Sequence, residues 1–156
     1  MSSVVNYTTA VPVMQSLSEM QERLAASGAS HIGVSYEDGY PIALTFGLRG
    51  PHGQRHFTVP VDVDAMQRLL RAHEDEGRFK SQRKAKGHFT TREHAARVAW
   101  RVMKDWLAAT LAIVETQMLR LDEVMLPYLM VDEEHTLAQR YREREDALAL
   151  TMKDDV

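Results

Sequence analysis

Six cations fall within one short stretch of this chain, at Arg78, Lys80, Arg83, Lys84, Lys86 and Arg92, with no acidic residue among them. Phe79, His88 and Phe89 are interleaved with them. Cations neutralise the phosphates of a nucleic-acid backbone, and exposed aromatic rings stack on its bases. The combination therefore points to nucleic-acid binding, with the six cations on phosphates, Phe79 and Phe89 on bases, and His88 beside them near a helix start, where anions are stabilised. The competing reading is a solvated or protein-docking loop, balanced by Glu74, Asp75 and Glu76 immediately upstream.

Other chemistry-bearing residues are less well placed. His52 and His56 flank a turn at a four-residue spacing and His31 opens a strand, which raises the question of a metal pair. A divalent site needs three or four converging ligands, and spacing supplies no third, so no metal is expected. His88 and His94 lie around the start of a long helix, as neutral imidazoles or as phosphate contacts. Asp105 and Glu115 are ten positions apart on that helix, about 15 Å by its rise, too far for a catalytic carboxylate pair; ion pairs with Arg101 or Lys104 suit Asp105 better. No nucleophile elbow, phosphate-cradling glycine loop, zinc-protease helix or dinucleotide fingerprint occurs. Neither an enzyme nor a cofactor is expected.

Composition narrows the class. At 156 residues, 44% hydrophobic and 26% charged, the chain has the size and balance of one ordinary globular domain. A formal net charge of −3 argues against a uniformly basic surface and confines any attraction for phosphate to a local patch. With no cysteine, disulfides, thiolate metal sites and cysteine nucleophiles are excluded. Residues 1–10 lack the basic start and apolar run of a secretory signal, and the longest apolar helix is interrupted by Arg97, Arg101, Lys104, Asp105 and Glu115. Neither export by that route nor a membrane span is expected, and the cytoplasm is the expected compartment.

The elements that must hold these residues follow from periodicity. Val13, Leu17, Met20 and Leu24 mark one face of a helix that Gly28 stops. Between His31 and Val61 the period becomes two, with Ile32, Val34 and Tyr36, then Ile42, Leu44 and Phe46, then Phe57, Val59 and Val61 alternating. The short connections around Asp38-Gly39 and over residues 49–54 predict an antiparallel meander. Asp62 or Asp64 caps a short helix that runs to about His73 with Met66, Leu69 and Leu70 facing inward. Thr90 and Glu93 form a capping box for a long helix continuing to Arg120, whose two apolar stripes predict burial on more than one side. A short helix ends near Pro127, and Thr136 with Gln139 caps a last one through about Ala149. Met125 and Met130 lie in an apolar cluster read as core or as an oligomer contact.

The expected architecture is α+β: an N-terminal helix, a three-stranded antiparallel meander, then a long buried helix and a helical C-terminal tail. It forms a single domain over residues 1–150, with a flexible terminus at 1–10, a basic loop at 74–90 and a flexible tail at 151–156. Helices before and after such a sheet cover one of its faces, which leaves the other for a partner.

The pattern Trp100-x5-Trp106-Leu107-x3-Leu111-x3-Glu115, then Leu126-Pro127-Tyr128-Leu129 and Thr136-Leu137-x3-Tyr141, resembles a family of small phage and prophage proteins over roughly residues 30–141. That resemblance implies a viral origin and a host-cytoplasmic setting, and assigns no functional residue. At the level of fold, the helix, three strands, helix order is similar to double-stranded-RNA-binding domains and the core of single-strand-annealing recombinases. Those folds carry basic residues near the start of the helix after the sheet, where Lys84, Lys86 and Arg92 fall here. The function expected is a non-enzymatic, homo-oligomeric phage protein that binds nucleic acid and assists recombination, replication or protection of phage DNA. The alternatives are an inhibitor of a host, possibly defence, protein that works through the sheet face or the acidic clusters at residues 74–76 and 132–134, and a small enzyme or nucleotide-sequestering protein.

Overall fold

Pro12 starts the first helix, α1 (Val13–Ala26), which buries Leu17, Met20 and Leu24 and is followed by Gly28 in the left-handed region at φ 94°. The computed structural model describes residues 4–154. Three strands follow, β1 (His31–Glu37), β2 (Tyr40–Gly50) and β3 (Gly53–Pro60), in the antiparallel order β1-β2-β3. Asp38 and Gly39 alone connect β1 to β2, and both have positive φ (50° and 80°), as the two-residue turn matching strand twist requires. The second turn is tighter than expected, because β2 and β3 run on to the pair Gly50–Gly53.

Inward-facing Leu44, Phe46, Phe57 and Val59 form the floor of the main core, with Phe46 and Phe57 stacked at 5.3 Å. Helix α2 (Val63–Asp75) is capped by Asp62, whose carboxylate accepts from the Ala65 N–H at 2.8 Å; Leu70 faces inward as expected, but Leu69 is exposed. Helix α3 (Arg92–Glu115) packs between these elements. Its Ala99, Trp100, Leu107 and Leu111 join α1 and the sheet, while Ala95, Ala96 and Val98 join Val63 and Leu70 of α2 in a second cluster. The two-sided burial expected of α3 is thus observed. Trp100 is fully buried and donates its indole N–H to the Pro41 carbonyl at 3.1 Å.

After α3 come α4 (Leu121–Val124), a 3-10 turn at Leu126–Tyr128, and α5 (Leu137–Asp154). The expected Thr136/Gln139 box caps α5: Gln139 Oε1 accepts from the Thr136 N–H at 2.7 Å, and Thr136 Oγ1 accepts from the Gln139 N–H at 3.3 Å. Leu129 bridges to Phe57, tying the tail to β3. Among the described residues, no helix is long and apolar enough to cross a membrane.

Several boundaries differ from expectation. The cap of α3 is Thr91, which accepts from the His94 N–H at 3.1 Å, and Thr90 is buried one residue earlier. Helix α3 stops at Glu115, not Arg120, because Gln117 turns into the left-handed region (φ 61°) and its N–H bonds back to the Val114 carbonyl. Helix α5 continues past Ala149 to Asp154, so much of the expected loose tail is helical; residues 155–156 lie outside the described residues. The N-terminal stretch from residue 4 is packed where fraying was expected: Val4 and Tyr7 lie against the second cluster and Asn6 donates to Asp105 at 2.6 Å. Residues 1–3 lie outside the described residues.

Candidate nucleic-acid interface

The basic segment leaves α2 through Gly77, which stands at φ 75°. It makes a 3-10 turn at Lys80–Gln82, reverses at Arg83 (φ 51°) and enters α3 at Thr91. Two aromatic side chains pin it from below. Phe79 and Phe89 are 6% and 5% exposed, and they meet edge to face at 5.4 Å. Tyr7 stacks on Phe79 at 4.7 Å and meets Phe89 edge-on at 5.5 Å. This corrects the expectation that Phe79 and Phe89 stack on bases: both rings are consumed by the second core cluster, because the N-terminal segment brings Tyr7 over them. Tyr7→Ala, which removes the central ring, is expected to destabilise the fold by about 2 kcal/mol in urea denaturation.

Acidic residues upstream organise the loop more than they neutralise it. Glu74 accepts from the Gly87 N–H at 2.8 Å, and Gln67 donates to the Thr90 carbonyl at 3.0 Å. Two of the six expected phosphate contacts form ion pairs within the protein, although the Arg92 side chain is 41% exposed. Arg78 pairs with Glu76 and reaches the His73 ring at 3.3 Å. Arg92 pairs with Asp64 and lies over the Tyr40 ring at 5.7 Å; the Asp64 hydrogen bond holds its already high pKa higher still. Lys80, Arg83, Lys84 and Lys86 remain exposed, and none of the four forms an ion pair among the described residues. Lys80, Lys84 and Lys86 border a recess of about 330 Å³ that Glu74 and Asp75 also line, with Phe79 and Phe89 beneath. His88 is exposed beside it, edge-on to Phe89. The structure thus narrows the expected set to four lysine and arginine heads plus one imidazole on an anchored loop.

His94 faces inward. It is buried, with Nε2 2.5 Å from the Tyr7 carbonyl, so at neutral pH its N–H donates to that carbonyl and no phosphate contact is open to it. Burial lowers its pKa despite that hydrogen bond, and the charges of Arg97 and His88 act in the same direction. In the unfolded chain the ring protonates near its ordinary value of about 6.5. The unfolded state then binds more protons than the folded one, so stability is complete above that pH and is lost as pH falls below it. The thermal midpoint is accordingly expected to drop between about pH 7 and pH 5, and less steeply in His94→Gln.

The remaining candidates resolve differently. Histidines 52 and 56 are not brought together; instead His56 meets His31, with Nδ1 and Nε2 3.1 Å apart across Gly47, and Gln54 lies 2.6 Å from the other His31 nitrogen. Among the described residues there is no group of three or more histidines and carboxylates able to hold a metal ion. Asp105 makes the expected ion pairs, with Lys104 at 3.0 Å and Arg101 at 3.9 Å. Two further groups of cations lie outside the residues that the sequence singles out. Arg68 and Arg71 are exposed one turn apart on α2. At the far end of α3, Arg49, His52, Arg55 and Arg120 surround a hollow of about 710 Å³ floored by Leu48, Phe57 and Leu121. Arg120 is engaged there by Asp122 at 2.7 Å. Strand pairing across β2–β3, which was legible, was the available signal for Arg49 and Arg55.

Fold and site together define a small α+β protein that presents an anchored cationic loop at the N-terminal end of its central helix. Comparison with known proteins finds no match to this chain among family models, curated proteins or solved structures.

Proposed function

We propose that this chain is a non-enzymatic protein of phage or prophage origin that binds nucleic acid in the host cytoplasm, as a homo-oligomer, and assists recombination, replication or protection of phage DNA. The observation that carries the reading is the set of four exposed cations, Lys80, Arg83, Lys84 and Lys86, without carboxylate partners among the described residues, on a loop pinned by buried Phe79 and Phe89. A pre-ordered loop loses little conformational freedom when it meets a phosphate backbone. With both rings buried, contact is to phosphates and not to base faces, so binding is indifferent to sequence and steeply dependent on salt. Replacing Lys84 and Lys86 with alanine should weaken binding to unrelated sequences by the same factor; an unchanged affinity, or a change confined to one sequence, rejects the assignment.

The second reading, an inhibitor that covers a host protein, draws on the outward face of the sheet. Ser35, Thr45, His56 and Thr58 there border an open hollow of about 740 Å³ whose rim carries Asp132, Glu133 and Glu134. Co-purification of one host protein that survives nuclease treatment would favour this reading over nucleic-acid binding.

A further inference from the structure

Strand β1 lies at the edge of the sheet, and none of its backbone groups directed away from β2 has a hydrogen-bond partner among the described residues. The opposite edge is different: β3 is partly closed by the Phe57–Leu129 bridge and by the Met130 N–H donated to the His56 carbonyl at 2.8 Å. Exposed edges are ordinarily blunted by lysine, proline, a bulge or a covering segment. The β1 sequence, HIGVSYE, contains neither lysine nor proline. Its one irregularity falls on the partner strand, where Ser35 faces Ala43 and Tyr36 faces Pro41, so Ile42 is the extra residue and β1 itself stays regular.

This edge is also self-complementary. We propose that β1 pairs antiparallel with β1 of a second copy, about a two-fold axis through Val34, to give one continuous sheet across both molecules. In that register His31 faces Glu37, Ile32 faces Tyr36, Gly33 faces Ser35, and Val34 faces its own counterpart. All seven residues of the strand are used, and the Glu37 carboxylate stands opposite the His31 imidazole of the second copy, twice. A shift of the axis to Gly33 or Ser35 leaves residues of the strand unpaired and separates those two side chains. Apolar surface continues beyond the edge. Tyr36 is 54% exposed and Met14 is 59% exposed, and both border one shallow recess with Pro12 and Tyr40, which the second copy would cover. Strand pairing with so small an apolar margin makes a modest interface, hence a dimer that dissociates on dilution. The inference goes beyond nucleic-acid binding and needs no nucleic acid.

The chain contains no cysteine, so an introduced one reports on a single position. In nucleic-acid-free protein, Val34→Cys should cross-link to a dimer under mild oxidation, because the two copies of that residue face each other. Tyr36→Cys should not, because in this register its two copies are four positions, about 13 Å, apart. Sedimentation velocity on the cysteine-free protein should show a concentration-dependent monomer–dimer equilibrium. Glu37→Lys, at an exposed position where the fold is not at risk, should raise its dissociation constant about tenfold by placing a lysine on the pairing edge at both ends of the interface. A protein that is monomeric up to millimolar concentration overturns the proposal. So does a dimer that is indifferent to Glu37→Lys and cross-links as readily through position 36 as through position 34.

Discussion

Alanine at Lys80, Arg83, Lys84 and Lys86 together is expected to abolish measurable nucleic-acid binding while leaving the fold intact. Each phosphate contact contributes a slope of about 0.9 to the logarithmic dependence of affinity on salt, so four contacts carry a slope of about 3.6. At roughly 0.1 M salt, that is on the order of a thousandfold in affinity. Nonspecific binders start from dissociation constants of about 10⁻⁴ to 10⁻⁶ M, so the variant would fall below detection. Stability should hold, because the four side chains are exposed and make no ion pair among the described residues. A thermal midpoint equal to that of the unaltered protein, with binding lost, separates a surface role from a structural one. Arg78 and Arg92 should behave in the opposite way: Arg78 reaches His73 of α2 and Arg92, at the start of α3, pairs with Asp64 of α2, so their replacement affects loop order before affinity.

The largest effect on the fold is expected at Trp100. Its side chain is fully buried where α3 crosses the sheet, and its indole N–H satisfies the Pro41 carbonyl. Trp100→Ala removes that packing and leaves a buried acceptor without its donor, for a cost of about 3–5 kcal/mol. Domains of this size have a total stability of about 5–15 kcal/mol, so the variant should sit close to the folding threshold. Calorimetry should show a midpoint lowered by about 10 °C or more. Trp106 provides the internal comparison. It is only half buried, edge-on to Tyr128 at 5.6 Å, and Trp106→Ala should cost clearly less. Equal losses at the two tryptophans would mean that the main core is not centred on Trp100.

Elements with a strong period were legible in the sequence. The alternation of Leu44 and Phe46 with Phe57 and Val59 specified the meander and its inner face, and the two stripes of α3 required neighbours on two sides, which α1, the sheet and α2 supply. Local capping chemistry at Thr136 and Gln139 also read correctly, because both partners lie within one turn. What could not be read depended on residues distant in sequence. Phe79 and Phe89 look like exposed rings among cations until Tyr7, more than seventy positions earlier, closes over them. The stop of α3 has no glycine or proline to announce it and rests on a left-handed Gln117. His31 and His56 meet because their strands both register on Gly47, a consequence of the pairing that spacing alone does not display. Division of the six cations into committed and exposed ones likewise required knowing that Asp64 reaches Arg92.

The central claim is that the exposed cations of the loop bind phosphate backbones, and fluorescence anisotropy of labelled single- and double-stranded DNA and RNA, titrated across a salt series, tests it most directly. The expected result is binding with a logarithmic salt slope of about 3 to 4 per protomer on duplex DNA, a similar affinity for unrelated sequences, and no added preference for single strands, since neither Phe79 nor Phe89 is free to stack. Absence of binding even at low salt, or binding whose affinity is insensitive to salt, would contradict it.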